Sequence, residues 1–181
     1  TKYLNPKSLK ESIDGEYMPI FPFGCNNSQY VAVKRAMENQ ISVIQGPPGT
    51  GKTQTILNII ANILIQGKTV QVVSNNNSAT ENVFEKLSSS KYNLGFIVAT
   101  LGKSDNKTNF INNQKTNYPD FTSWKSDDIQ DDFMQQVQEN SKKLKTVFDK
   151  QERLAQLNQE LNRLKIERKY FNEYLNETNV T

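Results

Sequence analysis

The stretch ISVIQGPPGTGKT (41–53) decides the fold. A short apolar run, ISVIQ (41–45), reads as a strand, and GPPGTGKT (46–53) follows it at once. Gly46, Gly51, Lys52 and Thr53 complete the pattern G-x-x-x-x-G-K-[ST] of a phosphate-binding P-loop. Each part has a chemical reason. A loop that wraps a phosphate must turn its backbone N–H groups inward, which needs glycine where φ is positive or where a side chain would clash. Lys52 supplies a cation to the β- and γ-phosphates and is the catalytic candidate; Thr53 offers a hydroxyl to Mg²⁺. The helix that follows aims its N-terminus at the anion. Pro47 and Pro48 stiffen the loop. Gly49, Thr50 and Gln54 complete the set expected around the phosphates.

Downstream, Ile56, Ile59, Ile60, Ile63 and Leu64 form one apolar stripe at helical spacing, and Gly67 ends that helix. TVQVV (69–73) reads as a second strand and SNNNSA (74–79) as a polar loop. A further amphipathic helix turns Val83, Phe84 and Leu87 inward, and GFIVATL (95–101) reads as a third strand. Strand, helix, strand, helix, strand is the parallel α/β order. Upstream, Val33, Ala36 and Met37 share a helix face, with Asn27 or Ser28 as its N-cap. Residues 1–24 form an extended arm, because Pro19 and Pro22 rule out a helix there. The arm's Tyr17, Phe21 and Phe23 either pack on the domain or flank its ligand; nothing in the sequence chooses.

After Leu101 the character changes. Residues 102–132 are a polar, weakly patterned linker. From Phe133 to about residue 176 the chain reads as one helix without Pro or Gly. Leu144, Val147, Gln151, Leu154, Leu157, Leu161, Leu164, Arg168, Phe171 and Leu175 recur at three- and four-residue steps, which suits a coiled-coil arm. Such a narrow seam needs a partner, either another protein or a second copy.

Composition excludes several classes. The 181 residues carry a net charge of +3 and are 35% hydrophobic. Mean hydropathy is −0.69. The mild charge does not by itself argue for nucleic acid. No histidine is present, which removes His-based zinc sites and Ser-His or Cys-His catalysis. Cys25 is the lone cysteine, so a reducing, cytoplasmic compartment is expected. No run is long and apolar enough for a membrane. The chain opens on Thr1 without a secretory leader, and is expected to be part of something longer.

Two flanking segments choose among P-loop proteins. NNSQYVAVKRAM (26–37) precedes the first strand. It resembles the Q-motif of superfamily 1 helicases, with Asn26, Ser28, Gln29, Ala32 and Val33 in place and Cys25 where Leu is usual. SNNNSATENVFEKL (74–87) resembles helicase motif Ia, matching at Asn77, Ala79 and Asn82, with Glu81 for the acid and Asn75 for the usual Pro. The likeness covers about Phe21 to Leu101 and lies nearest the RNA-decay and splicing branch and its bacterial relatives. It implies a RecA-like domain, here partial and spanning 25–101, that binds ATP with Mg²⁺. It also implies that Gln29 reads the adenine, and that Asn77, Ser78 and Ala79 touch single-stranded DNA or RNA. In that branch an insertion after motif Ia can carry a helical stalk, where residues 102–181 fall.

A Walker B strand would present acids after an apolar run. Asp120, Asp127, Asp128, Asp131 and Asp132 lie in polar surroundings instead, and the second motor domain is not found. Nucleotide binding with little or no turnover is therefore expected. Other readings stay open at this point: an SMC- or ABC-type ATPase half, an AAA+ ATPase, or a coiled-coil adaptor with a vestigial P-loop.

Overall fold

A computed structural model describes residues 17–102, 104–112, 120, 122 and 127–178. The start of the arm (1–16) and much of the linker (113–119, 121 and 123–126) lie outside the described residues. The chain divides into two compact units, Thr1–Met134 and Gln135–Thr181. The first holds helices α1 (Asn27–Glu38), α2 (Lys52–Ile65) and α3 (Asn77–Ser88), a 3₁₀ turn at Gly95–Ile97, and α4 (Ser104–Asn112) inside the polar stretch. Helix α5 (Asp127–Glu177) forms the second unit and the chain leading into it.

Helix α1 begins one residue earlier than the sequence suggests. Asn26, not Asn27 or Ser28, is the N-cap. Its Oδ1 accepts from the Gln29 N–H at 2.9 Å, and Gln29 Oε1 accepts from the Asn26 N–H at 3.0 Å. Two otherwise orphaned donors are satisfied reciprocally, a capping box in which Gln29 takes the third helical position. Helix α2 ends in a Schellman closure: Lys68 N–H reaches Ile63 O at 3.3 Å and Gly67 N–H reaches Leu64 O at 2.9 Å. Gly67 turns at φ 69°, which glycine adopts without a Cβ penalty.

α2 packs against both α1 and α3, and α3 against the 3₁₀ turn. The core joins Leu57 and Ile60 of α2, Val83 and Leu87 of α3, and Phe23 of the arm. Tyr92, Leu94 and Val98 close over it, with the Phe23 and Tyr92 ring centroids 4.7 Å apart. So the arm's Phe23 is core, and Phe21 stacks on Tyr30 at 5.2 Å.

Two expectations differ from what the described residues show. The runs 41–45, 69–73 and 95–101 form no strand among the described residues. The third closes back on α3 instead: Leu94 N–H bonds to Leu87 O at 2.8 Å, and Gly95–Ile97 coil into a 3₁₀ turn. The other two runs have the apolar composition of strands that are buried on both faces in parallel sheets. Without such cover their side chains stand in solvent, Val43 at 82% and Val73 at 78% exposure. The buried face of α2 coincides with the apolar stripe only in part: Ile60 is buried and Ile59 and Ile63 are half-buried. Thr55, Leu57, Asn58, Ile60 and Asn62 are buried, while Ile56 and Leu64 are exposed. Ile65 is exposed as well, so part of the helix's apolar surface stays uncovered.

α5 runs for 51 residues, about 76 Å at the α-helical rise. Along it Val147, Leu154, Leu157, Leu161, Leu164 and Phe171 are exposed. No helix among the described residues is long and apolar enough to cross a membrane.

Candidate nucleotide-binding site

The P-loop runs from Gly46 into α2. Gly49 turns at φ 83° and Gly51, the residue before the helix, at φ 79°. A Cβ on Gly46 would lie 2.7 Å from Thr50 Oγ1, and one on Gly51 would collide with Gln29 Nε2. These are the close approaches for which the pattern reserves glycine. Thr50 Oγ1 donates to Pro47 O at 2.8 Å and braces the turn through the two prolines. Lys52 is exposed, and its ammonium donates to the carbonyls of Gly46 and of Pro47, the latter at 2.9 Å. The charge therefore stands over the loop, where a phosphate would compete with two carbonyl oxygens for it.

Thr53 lies in the first turn of α2. Among the described residues its hydroxyl makes no hydrogen bond, unlike Thr50 and Thr55, which are both held by loop carbonyls. Backbone amides, one ammonium and one uncommitted hydroxyl at a helix N-terminus fit a triphosphate with its Mg²⁺.

Cys25, Asn26, Gln29, Gly49, Thr50, Gly51 and Gln54 line a cleft of about 340 Å³. That is within the range of small-molecule sites. Gln29 is buried at its edge. Its Nε2 donates to Thr50 O and to Gly51 O, each at 3.2 Å. The residue expected to read the base is thus bonded to the phosphate loop itself. Burial pushes the Cys25 thiol up to about 11, so this wall of the cleft is neutral at physiological pH. Among the described residues no carboxylate lines the cleft. Asp120 is held below the usual carboxylate range by the hydroxyl and N–H of Thr122, as a local turn. The side chains of Asp127, Asp128 and Asp131 lie outside the described residues.

Sequence reasoning missed the residues that hold the arm. Asn58 and Asn62 are 0% and 1% exposed on α2. Asn62 Oδ1 accepts from Ile20 N–H at 2.9 Å and from the Tyr17 hydroxyl at 3.0 Å. Its Nδ2 donates to Ile20 O at 2.8 Å and to Asn58 O at 2.7 Å. Asn58 Oδ1 accepts from Phe23 N–H at 3.2 Å, and its Nδ2 donates to Gly24 O at 2.8 Å. Gln54 Nε2 donates to Phe23 O at 2.5 Å. The only sequence signal was the spacing of Gln54, Asn58 and Asn62, four residues apart and so on one helix face.

Asn77, Ser78 and Ala79 form the exposed first turn of α3. Asn76 caps it: its Oδ1 accepts from Ser78 N–H at 3.1 Å and from Ser78 Oγ at 2.8 Å. These residues do not line the cleft.

A glycine-rich loop feeding a helix, a glutamine bonded to that loop and a cleft between them define a nucleotide-binding P-loop protein. The chain belongs to the AAA domain family, whose model matches residues 24–180. It has the P-loop NTPase fold of that family and corresponds to part of the N-terminal motor region of a superfamily 1 helicase. It is 42% identical over 84 residues to the DNA polymerase alpha-associated DNA helicase A of Schizosaccharomyces pombe, covering 46% of this chain and 13% of that protein. It is 44% identical over 63 residues to a regulator of nonsense transcripts 1 homolog of Drosophila melanogaster, covering 34% and 5%. An uncharacterized ATP-dependent helicase of Mycoplasma genitalium is 36% identical over 89 residues, covering 49% and 8%. The chain thus matches only a small part of each relative's length. No solved structure matches it.

Proposed function

We propose that this chain is the ATP-binding part of a helicase motor, which as a whole couples ATP hydrolysis to translocation on and unwinding of nucleic acid. The observation that carries the reading is the pair of bonds from Gln29 to Thr50 O and Gly51 O. They join the Q-like segment and the P-loop into one cleft, as a single nucleotide site requires.

Within that site the loop N–H groups and Lys52 hold the phosphates, and Thr53 takes the metal. When bound, Mg²⁺ neutralises charge across the β- and γ-phosphates. Gln29 keeps both amide hydrogens on the loop and uses the remaining lone pair of Oε1 at the base. An acceptor there favours the exocyclic amine of adenine over the carbonyl of guanine. With no carboxylate at the cleft among the described residues to order a water, the chain alone binds ATP and turns it over slowly or not at all.

In the longer protein, residues 41–45 and 69–73 serve as strands of a RecA-like parallel sheet that covers the exposed Ile56 and Leu64 of α2. Asn77, Ser78 and Ala79 touch the backbone of single-stranded DNA or RNA there. The exposed seam of α5 is covered by a protein partner or a second copy. The lone cysteine fits a reducing, cytoplasmic setting.

Calorimetric titration with Mg·ATP, Mg·GTP and the Lys52→Ala variant tests this. ATP binding that exceeds GTP binding and disappears in Lys52→Ala supports the reading. A folded chain indifferent to ATP sinks it and favours the adaptor with a vestigial loop.

A further inference from the structure

The amides of Gln54, Asn58 and Asn62 do more than fill the helix face they share. Asn62 has two acceptor and two donor positions, and all four are used. Burying an amide is costly unless it is bonded, and here the bonds go mainly to another segment's backbone. Asn62 takes both the N–H and the C=O of Ile20, as a neighbouring strand would. Asn58 takes the N–H of Phe23 and the C=O of Gly24, and Gln54 takes the C=O of Phe23. One face of α2 therefore supplies the hydrogen-bonding edge that the arm would otherwise find in a sheet.

Where the arm leads is the informative part. Gly24 turns at φ 73° directly after its bond to Asn58. The chain then delivers Cys25 and Asn26 to the cleft, and Asn26 caps the helix that presents Gln29. At the other end, Gln54 itself lines the cleft, two residues after Lys52. A Cβ on Gly24 would sit 3.2 Å from Gln54 Nε2, so the two segments meet closely there. The base-side wall and the phosphate loop are thus registered to one another by a single helix face.

We propose that Gln54, Asn58 and Asn62 are positioning residues for nucleoside recognition: their ladder onto arm residues 20–24 fixes the wall formed by Cys25, Asn26 and Gln29 relative to the P-loop. The proposal rests on the nucleotide-site reading above. Its signature is selective. Releasing the arm loosens the base-side wall but leaves the loop, Lys52 and Thr53 intact. Affinity for a nucleoside triphosphate falls, while affinity for a bare triphosphate does not.

The test is calorimetry on the whole chain with Mg·ATP and with Mg·tripolyphosphate, comparing wild type with Asn58→Leu, which keeps bulk and helix while removing the amide. Helix content is followed by circular dichroism, and release of the arm by hydrogen exchange at the Phe23 amide. The expected result is faster exchange at Phe23, an ATP affinity lower by about tenfold, and tripolyphosphate affinity within about twofold of wild type. Equal loss for both ligands at unchanged helix content would overturn the proposal, since the ladder would then only brace α2. So would unchanged ATP affinity with a released arm. If wild type binds neither ligand, the nucleotide site itself is wrong and the ladder proposal falls with it. Should Asn58→Leu fail to fold, Ile20→Pro removes one N–H of the ladder and leaves α2 untouched. A loss of about threefold for ATP alone is then expected, and no loss overturns the idea.

Discussion

Gln29 sits 22 positions before Gly51 in sequence, yet its side-chain amide lies 3.2 Å from the Gly51 carbonyl oxygen, across the mouth of the P-loop. The same side chain closes the cap of α1 through Oε1. One residue therefore serves the helix, the loop and the cleft. Replacing it by alanine removes all of its side-chain bonds, including those to Thr50 O and Gln54 Oε1. Gln29→Ala is expected to lower ATP affinity about tenfold and GTP affinity less, which calorimetry would show, and to cost about 1–2 kcal/mol of stability in urea unfolding. Equal loss for both nucleotides would mean that Gln29 does not read the base.

Gly51 is the loop's tightest point. Gly51→Ala must place a methyl group against Gln29 Nε2 at a left-handed φ of 79°. A destabilisation of about 1–3 kcal/mol is expected, with loss of measurable Mg·ATP binding. A variant as stable as wild type would show that the loop relaxes freely.

Lys52 is exposed and, among the described residues, bonds only to carbonyls of its own loop. Lys52→Ala should therefore leave the urea midpoint nearly unchanged, within about 0.5 kcal/mol. Its effect falls on ligand: ATP affinity drops by more than about tenfold, the worth of a charge-assisted bond. Retained affinity would remove Lys52 from the site.

Cys25 gives a readout that needs no turnover. Its thiol is pushed up to about 11 by burial, and the thiolate is the reactive form. Alkylation by iodoacetamide should be slow at pH 8 and accelerate up to about pH 11, and Mg·ATP should slow it further, because Cys25 lines the cleft. The linkage has a definite sign. The folded chain holds this proton more tightly than the unfolded one, so the contribution is fully present below about pH 9 and is lost as pH rises through 11. Rapid labelling at pH 7, unaffected by ATP, would contradict the site.

The exposed seam of α5 predicts association. Sedimentation equilibrium of the chain should reveal a concentration-dependent oligomer. Leu157→Lys with Leu164→Lys, two exposed seam positions, should return it to monomer with helix content little changed. A chain monomeric at high concentration would leave the seam to a different protein.

The parts legible in sequence are those whose chemistry fixes spacing. The P-loop pattern is readable because a phosphate cradle demands glycine, lysine and a hydroxyl at set intervals, whereas Gln29 stands out through the resemblance of its segment to the Q-motif. The cores of α1 and α3 follow from periodicity, as buried Val33, Val83 and Leu87 illustrate. Elsewhere the pattern has no unique reading. Helix α2 also carries apolar residues off the stripe, so the stripe alone cannot show that Leu57 is buried with Ile60 while Ile56 and Leu64 are exposed. Residues 41–45 and 69–73 carry strand-like side chains, but a strand also needs a neighbour to accept its bonds. Asn58 and Asn62 read as polar interruptions, because a buried amide is recognisable only once its partners are located.

The arm is held by its peptide groups. Asn58 and Asn62 grip N–H and C=O of residues 20–24 and, among the described residues, no side chain of the arm apart from the Tyr17 hydroxyl. Such a grip is blind to the identity of what it holds. Positions such as Ile20 should accept almost any residue that keeps its N–H, whereas Asn58 and Asn62 should tolerate almost none. The segment that frames the cleft could then drift in sequence, and retune what it meets at the rim, while the means of fastening it stayed constant.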